Sequence, residues 1–427
     1  MNRDTAVDFK GVPDREDLLN QLQQANQYTW LWIVIRLAAI AALIALISWQ
    51  QVVFAPIVSV TACLVILGPF MMELAQIWGK HKKRLEDVKE STRFGDLDKH
   101  SLRSLYQNVL KRLQLPDDHL PVYITNDKSL NAGALRLGRL FGGLNGIYLN
   151  RQVLHKLQGE EVQAIMGHEL GHYYKFNVAG DRFRLLTLVL GALVGVYAVQ
   201  IIQLDGFLGF IVMSGVSGFF WYISSLDRVR HGQAIEYLCD DFGAQVNGIE
   251  ASISGLLKVG LDSETRFLIE LELMAVNADN ELLTPQEISQ AIEKATPYGH
   301  TPEPELYDSI RLELRRKAKA NQQASISGFI KYMWESDRDD EDLKEELQAR
   351  AKAVNQIDRM DWETVWQDHE HSPLHLDQVE RLVQMIAESP KKSLFRIPES
   401  LSSDGIHPPM KLRILYLWKN RNSPTKL

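Results

Sequence analysis

Apolar residues fall along this chain in blocks, with long charged stretches between them. Four runs carry nearly all the apolar excess: about Tyr28 to Trp49, Val52 to Trp78, Leu185 to Leu204 and Phe207 to Leu226. Each has about twenty residues or more, enough for a helix to cross a bilayer. Trp30, Trp32, Trp49 and Trp78 lie near run ends, where amphipathic rings favour a membrane interface. Arg36 and Glu73 also sit near run ends and can snorkel to the headgroups. No charge separates the first two runs, and Lys80, Lys82, Lys83 and Arg84 follow them. Asp205-Gly206 alone divides the second pair, which Arg182 and Arg184 precede and Arg228 and Arg230 follow. The pattern predicts four transmembrane helices in two hairpins, 28–78 and 183–226, with their ends in the cytosol. The second pair is only just long enough, so a helical hairpin buried in a soluble domain competes with that reading.

The remainder predicts a mostly α protein with a small β-sheet. Residues 1–27 form a polar N-terminal segment that is acidic, without a basic leader pattern, and Asp14 to Gln27 suits a short surface helix. In 79–182, helical periodicity from Leu85 to Leu115 gives way to a β-like run ending at Thr125. Asn131 to Leu137 and Gly146 to Asn150 then suit a hairpin around Gly142-Gly143. Gly159, Glu160 and Glu161 open a helix whose apolar face carries Val162, Ile165 and Met166. Residues 227–427 begin as a polar helix to Val246 and continue as a charged, mainly helical extension. The formal net charge of −7 gives no basic excess for nucleic acid. Cys63 and Cys239 lie in settings unsuited to a mutual disulfide, which fits a reducing compartment for the polar part.

Chemistry concentrates in Met166-Gly-His-Glu-Leu-Gly-His-Tyr-Tyr174, expected in the middle of that helix. His168 and His172, four apart, share a helical face and can bind one metal ion. Glu169 is angled away from them, where it can serve as a general base. A catalytic zinc usually takes three protein ligands. One class of such enzymes draws the third, a Glu, from a later helix, with an Asp one turn on to orient a ligand His. Glu236 and Asp240 have that spacing, whereas Val178 stands where another class has a third His.

His168-Glu-Leu-Gly-His172, an apolar hairpin and then Glu236-Tyr-Leu-Cys-Asp240 resemble the gluzincin membrane zinc metalloproteases, the family of the HtpX heat-shock protease and the CAAX prenyl proteases. Asn131-Ala132 is similar to that family's Asn-Ala element, and His407-Pro-Pro409 with Arg413-Ile414 to its terminal signature. Order, spacing and the two hairpins are HtpX-like. The resemblance implies a zincin-type domain, split by the second membrane hairpin into 79–182 and 227–427. It implies one zinc ion per chain on His168, His172 and Glu236, with Glu169 as general base and Asp240 orienting His168. His407 and Arg413 would stabilise the oxyanion or position substrate, and Asn131 and Ala132 would lie where an extended polypeptide binds. The expected partners are a polypeptide substrate and the lipid bilayer, with no nucleic acid. The expected setting is a bacterial inner membrane, with the catalytic domain in the cytosol. A CAAX-type processing protease of defined peptides and a non-catalytic membrane adaptor with structural zinc are the alternatives. Cys239 stands where the family commonly has Ala, and Ile406 where it often has Thr or Ser. His375 and Arg381 repeat the separation of His407 and Arg413, and the cluster of His369, His371 and His375 suits a solvated loop.

Overall fold

A computed structural model describes residues 9–54, 81–116, 120–126, 129–136, 139–178, 184–202, 206–277, 356–367, 372–397 and 407–422, with isolated positions in 55–80 and 352–354. Helix α1 (Arg15–Leu46) and the short α2 (Trp49–Phe54) come first. Strand β1 (Lys82–Arg84) and the small β2 (Arg93–Phe94) and β3 (Leu97–Asp98) lead into α3 (Lys99–Arg112), which Asp98 caps by accepting from the Ser101 N–H at 2.8 Å. Strands β4 (Val122–Thr125), β5 (Ala132–Leu135) and β6 (Gly146–Asn150) follow, then α4 (Arg151–Lys156) and α5 (Gly159–Leu170). Helix α6 (Arg184–Ile202), the long α7 (Gly206–Asn277), α8 (Leu376–Glu388) and α9 (Met410–Asn420) complete the described part.

The main sheet has the order β1-β4-β6-β5. Strand β4 runs parallel to β6, and β5 pairs antiparallel with β6 as the expected hairpin. Strand β6 therefore has neighbours on both sides, and β5 is an edge. Lys82, in the charged cluster after the second apolar run, extends over the stacked rings of Tyr123 and Tyr148, 5.3 Å from each centroid.

Among the described residues, two helices are long and apolar enough to cross a bilayer, α1 and α6, not four. The second run, 52–78, lies mostly outside the described residues. The fourth, 207–226, is no separate span: it continues without a break into the polar part of α7. Helix α1 departs from expectation too. The short surface helix and the first apolar run are one helix of 32 residues. Leu18, Leu22, Thr29 and Ile33 make a buried stripe along it, the first two within the main core. Around Trp30 (58 % exposed) its remaining faces are apolar and uncovered, as are Ile201 on α6 and Phe219 on α7.

Helices α1, α6 and the first part of α7 stand side by side. At one end the Ser48 N–H donates to Gln200 Oε1 and Gln200 Nε2 donates back to the Ser48 carbonyl, each at 3.1 Å. At the other, Gln21 meets His231 at 3.3 Å and Asn26 donates to the Asn177 carbonyl at 3.1 Å. Helix α7 bends at Asn247 and Gly248, the latter at φ +89°, where a side chain would be strained. Its second part meets the segment around Trp362 and Trp366, whose rings are fully buried. There Arg359 spans Glu264 and Glu363 at 3.0 and 2.9 Å.

Candidate metal centre

Helix α5 starts on a capping box, in which the Gln158 N–H donates to Glu161 Oε2 at 2.8 Å. It ends at Leu170, so His168 and Glu169 lie in its last turn, not in its middle. His172 belongs to a π-turn, Gly171–Lys175, closed by the Phe176 N–H donating to the Gly171 carbonyl at 2.8 Å. Such widened turns recur at functional sites because they re-aim side chains.

Helix α7 packs against α5 with almost no side chain between the backbones. A Cβ on Gly243 would lie 2.6 Å from the Ala164 carbonyl oxygen, and one on Gly171 3.0 Å from Cys239 Sγ. That closeness requires a small residue at 239, and burial pushes the Cys239 thiol up to about 11, so it stays neutral. The same closeness brings Glu236 to the histidines.

His168 Nε2 lies 3.1 Å from His172 Nε2. Glu236 approaches them at 3.5 Å (Oε2 to His168 Nε2) and 3.3 Å (Oε1 to His172 Nε2). Four donors around one zinc at its usual bond lengths stand about 3.3 Å apart, so the three separations suit a tetrahedral ion with one position left over. His168 Nδ1 faces Asp240 Oδ1 at 2.9 Å, which fixes the proton on Nδ1 and frees Nε2. These three residues are a group able to hold a metal ion among the described residues. The donor set of two imidazoles and a carboxylate fits zinc.

Asp240 is gripped from the other side by Arg413 on α9, with Nε to Oδ2 at 2.6 Å and Nη2 to Oδ1 at 2.5 Å. Arg413 is buried, and Nη2 also comes within 3.6 Å of Glu236 Oε2. Burial alone would push both carboxyls up. Arg413 and the histidines override it and hold Glu236 and Asp240 below the usual carboxylate range. His407 Nε2 is 3.6 Å from Glu236 Oε1, with its side chain 52 % exposed at the open rim. Glu169 is buried beside Cys239.

The echo on α8 lies elsewhere: His375 caps that helix and Arg381 pairs with Asp377 in solvent. His369 and His371 fall outside the described residues. Asn131 joins the sheet, its carbonyl accepting from the Asn150 N–H at 3.2 Å and its side chain from the Ala132 N–H at 2.8 Å. Ala132 opens β5, and Arg136 just beyond β5 donates to the Tyr173 carbonyl in the π-turn at 2.7 Å. Sequence reasoning passed over Asp241, whose carboxylate pairs with Arg15 at the start of α1. Its one signal was the tandem Asp240-Asp241.

Neither curated proteins nor solved structures provide a match to this chain. The model of peptidase family M48 matches residues 96–255, which hold α5, the π-turn, α6 and the part of α7 with Glu236 and Asp240. Over those residues the chain carries a domain of peptidase family M48, the zinc metallopeptidase family of HtpX and the CAAX prenyl proteases.

Proposed function

We propose that this chain is an HtpX-like, membrane-integral zinc endopeptidase of gluzincin type. It cuts membrane or misfolded polypeptides on the cytosolic side. The observation that carries the reading is the convergence of His168, His172 and Glu236 at 3.1 to 3.5 Å beside the His-Glu-Leu-Gly-His sequence. Those residues would hold one zinc ion, which when bound supplies a Lewis acid for a water and the scissile carbonyl.

The side chains divide the remaining work. Glu169 takes the proton of the attacking water on its carboxylate and returns it to the leaving amine. His407, at the open rim, donates to the carbonyl oxygen as negative charge develops there. Arg413 is committed to Asp240 and works as a positioning residue: it holds the carboxylate that orients His168. The outer edge of β5, unpaired among the described residues, beginning at Asn131-Ala132 and lying beside the π-turn, takes an extended substrate by strand addition.

Ser48, just past the end of α1, meets Gln200 near the end of α6, so if α1 spans the bilayer, α6 spans it alongside. Lys82, Lys83, Arg84 and Arg184 favour the cytosol for the catalytic side.

Glu169→Gln tests the reading. Turnover of a denatured membrane-protein substrate should fall by about 10²- to 10⁴-fold, with zinc content and thermal unfolding unchanged. Wild-type turnover in that variant would remove Glu169 from the mechanism.

A further inference from the structure

We propose that Arg15, at the start of the N-terminal membrane helix, is a positioning residue for the metal centre, acting through Asp241. The inference rests on the zinc reading above. Arg15 and Asp241 form an ion pair whose side chains are almost withdrawn from water. Asp241 follows Asp240 on α7, so the two carboxylates leave the helix about 100° apart. Asp240 faces His168 and is forked by Arg413, near the C-terminal end of the chain. Asp241 faces α1 and is held by Arg15, near the N-terminal end. Two arginines from opposite ends of the chain thus grip consecutive residues of one helix. Two grips at different angles fix its rotation about its own axis, which one grip cannot do.

Rotation matters because Glu236 and Asp240 both project from α7 toward histidines on α5 and its π-turn. Without Arg15, Asp241 would lose the buried cation that faces it, a costly change relieved by turning α7 to wet the carboxylate. That turn pulls Asp240 from His168 and Glu236 from both rings. The rest of the segment is placed to hold Arg15 still. Leu18 and Leu22 are in the main core, Lys419 of α9 pairs with Asp14 at 2.7 Å, and buried Tyr416 of α9 lies beside both Arg15 and Asp241. The polar segment ahead of the membrane is therefore a working part of the metal centre as well as an anchor.

The test is zinc affinity of the full chain in detergent, by competition with a chelator, beside thermal unfolding. Arg15→Gln should weaken zinc about tenfold, the lower end of what outer-shell changes cost. Arg15→Lys, which keeps the charge but loses the planar guanidinium, should be about threefold weaker than wild type. Arg15→Gln with Asp241→Asn should regain most of the affinity, since both charges of the buried pair are removed together. Wild-type affinity in Arg15→Gln, or a loss that neither companion variant relieves, overturns the proposal. If Arg15→Gln cannot be purified folded, Arg15→Lys decides: weaker zinc supports the proposal and wild-type affinity overturns it. A wild-type chain that holds no zinc is a different result, and brings down the metal reading itself.

Discussion

Helix α5 is joined to α7 at both ends by a buried carboxylate, and the two joints behave in opposite ways. At the N-terminal joint Glu161 meets Lys258 at 2.8 Å, with side chains 0 % and 8 % exposed and Trp366 lying over the ammonium. One charge meets one opposite charge, and the approach is closed. At the C-terminal joint Glu236 meets two imidazoles, whose Nε2 atoms face each other and the carboxylate, and one side is open past His407. Burial is common to both. A site arises where donors are left over, point at a shared position and can be reached.

The sharpest test of that contrast is at the open joint. Glu236→Ala should abolish stoichiometric zinc and peptidase activity together while the chain stays folded, read by metal analysis on purified protein. Retained zinc would remove Glu236 from the ligand set. At the closed joint the effect should be large but confined to stability. Lys258→Met strands Glu161 and should cost about 3–5 kcal/mol, whereas Lys258→Met with Glu161→Gln should be near neutral. Activity per folded molecule should stay unchanged in both, and a loss there would mean that this joint also shapes the metal centre.

The same joint should show in the pH dependence of unfolding. Burial outweighs Lys258 and holds the Glu161 carboxyl above the usual carboxylate range. The folded chain then keeps that proton to higher pH than the unfolded chain. Stability from this group therefore falls as pH rises from the ordinary carboxylate range through the raised value. Glu161→Gln should remove that slope from a series of thermal melts. The smallest effect is expected at Arg381, which repeats the His-to-Arg spacing of the metal centre in solvent. Arg381→Ala should change stability by less than about 0.5 kcal/mol and leave zinc affinity alone. A measurable loss of zinc there would blur the line between the motif and its echo.

The residues of the candidate metal site were legible because helical periodicity carries them: His172 lies four positions after His168 and Asp240 four after Glu236, and both pairs come out on facing surfaces. The hairpin of β5 and β6 was legible from its Gly-rich connection. Other features had no local signature. The π-turn at His172 depends on how closely Gly171 approaches Cys239, a contact between residues far apart in the sequence. The pairing of Arg15 with Asp241 joins positions at distant points of the chain, and nothing near either one names the other. The fourth apolar run resembled a free-standing span because hydropathy registers where polarity returns, whereas the backbone of α7 continues through that point.

Helix α1 runs unbroken from its ion pair beside the metal centre into the exposed apolar belt that begins near Tyr28. At 1.5 Å per residue, Arg15 stands about 20 Å from that belt along the helix axis. A rigid rod of that kind is a depth gauge. In the membrane arrangement proposed above, it sets how far above the lipid a peptide bond must sit to be cut. An extended substrate chain, at 3.3 Å per residue, needs about six residues clear of the headgroups to reach that height. Selection among membrane substrates would then follow the length of tail they can expose, whatever its sequence.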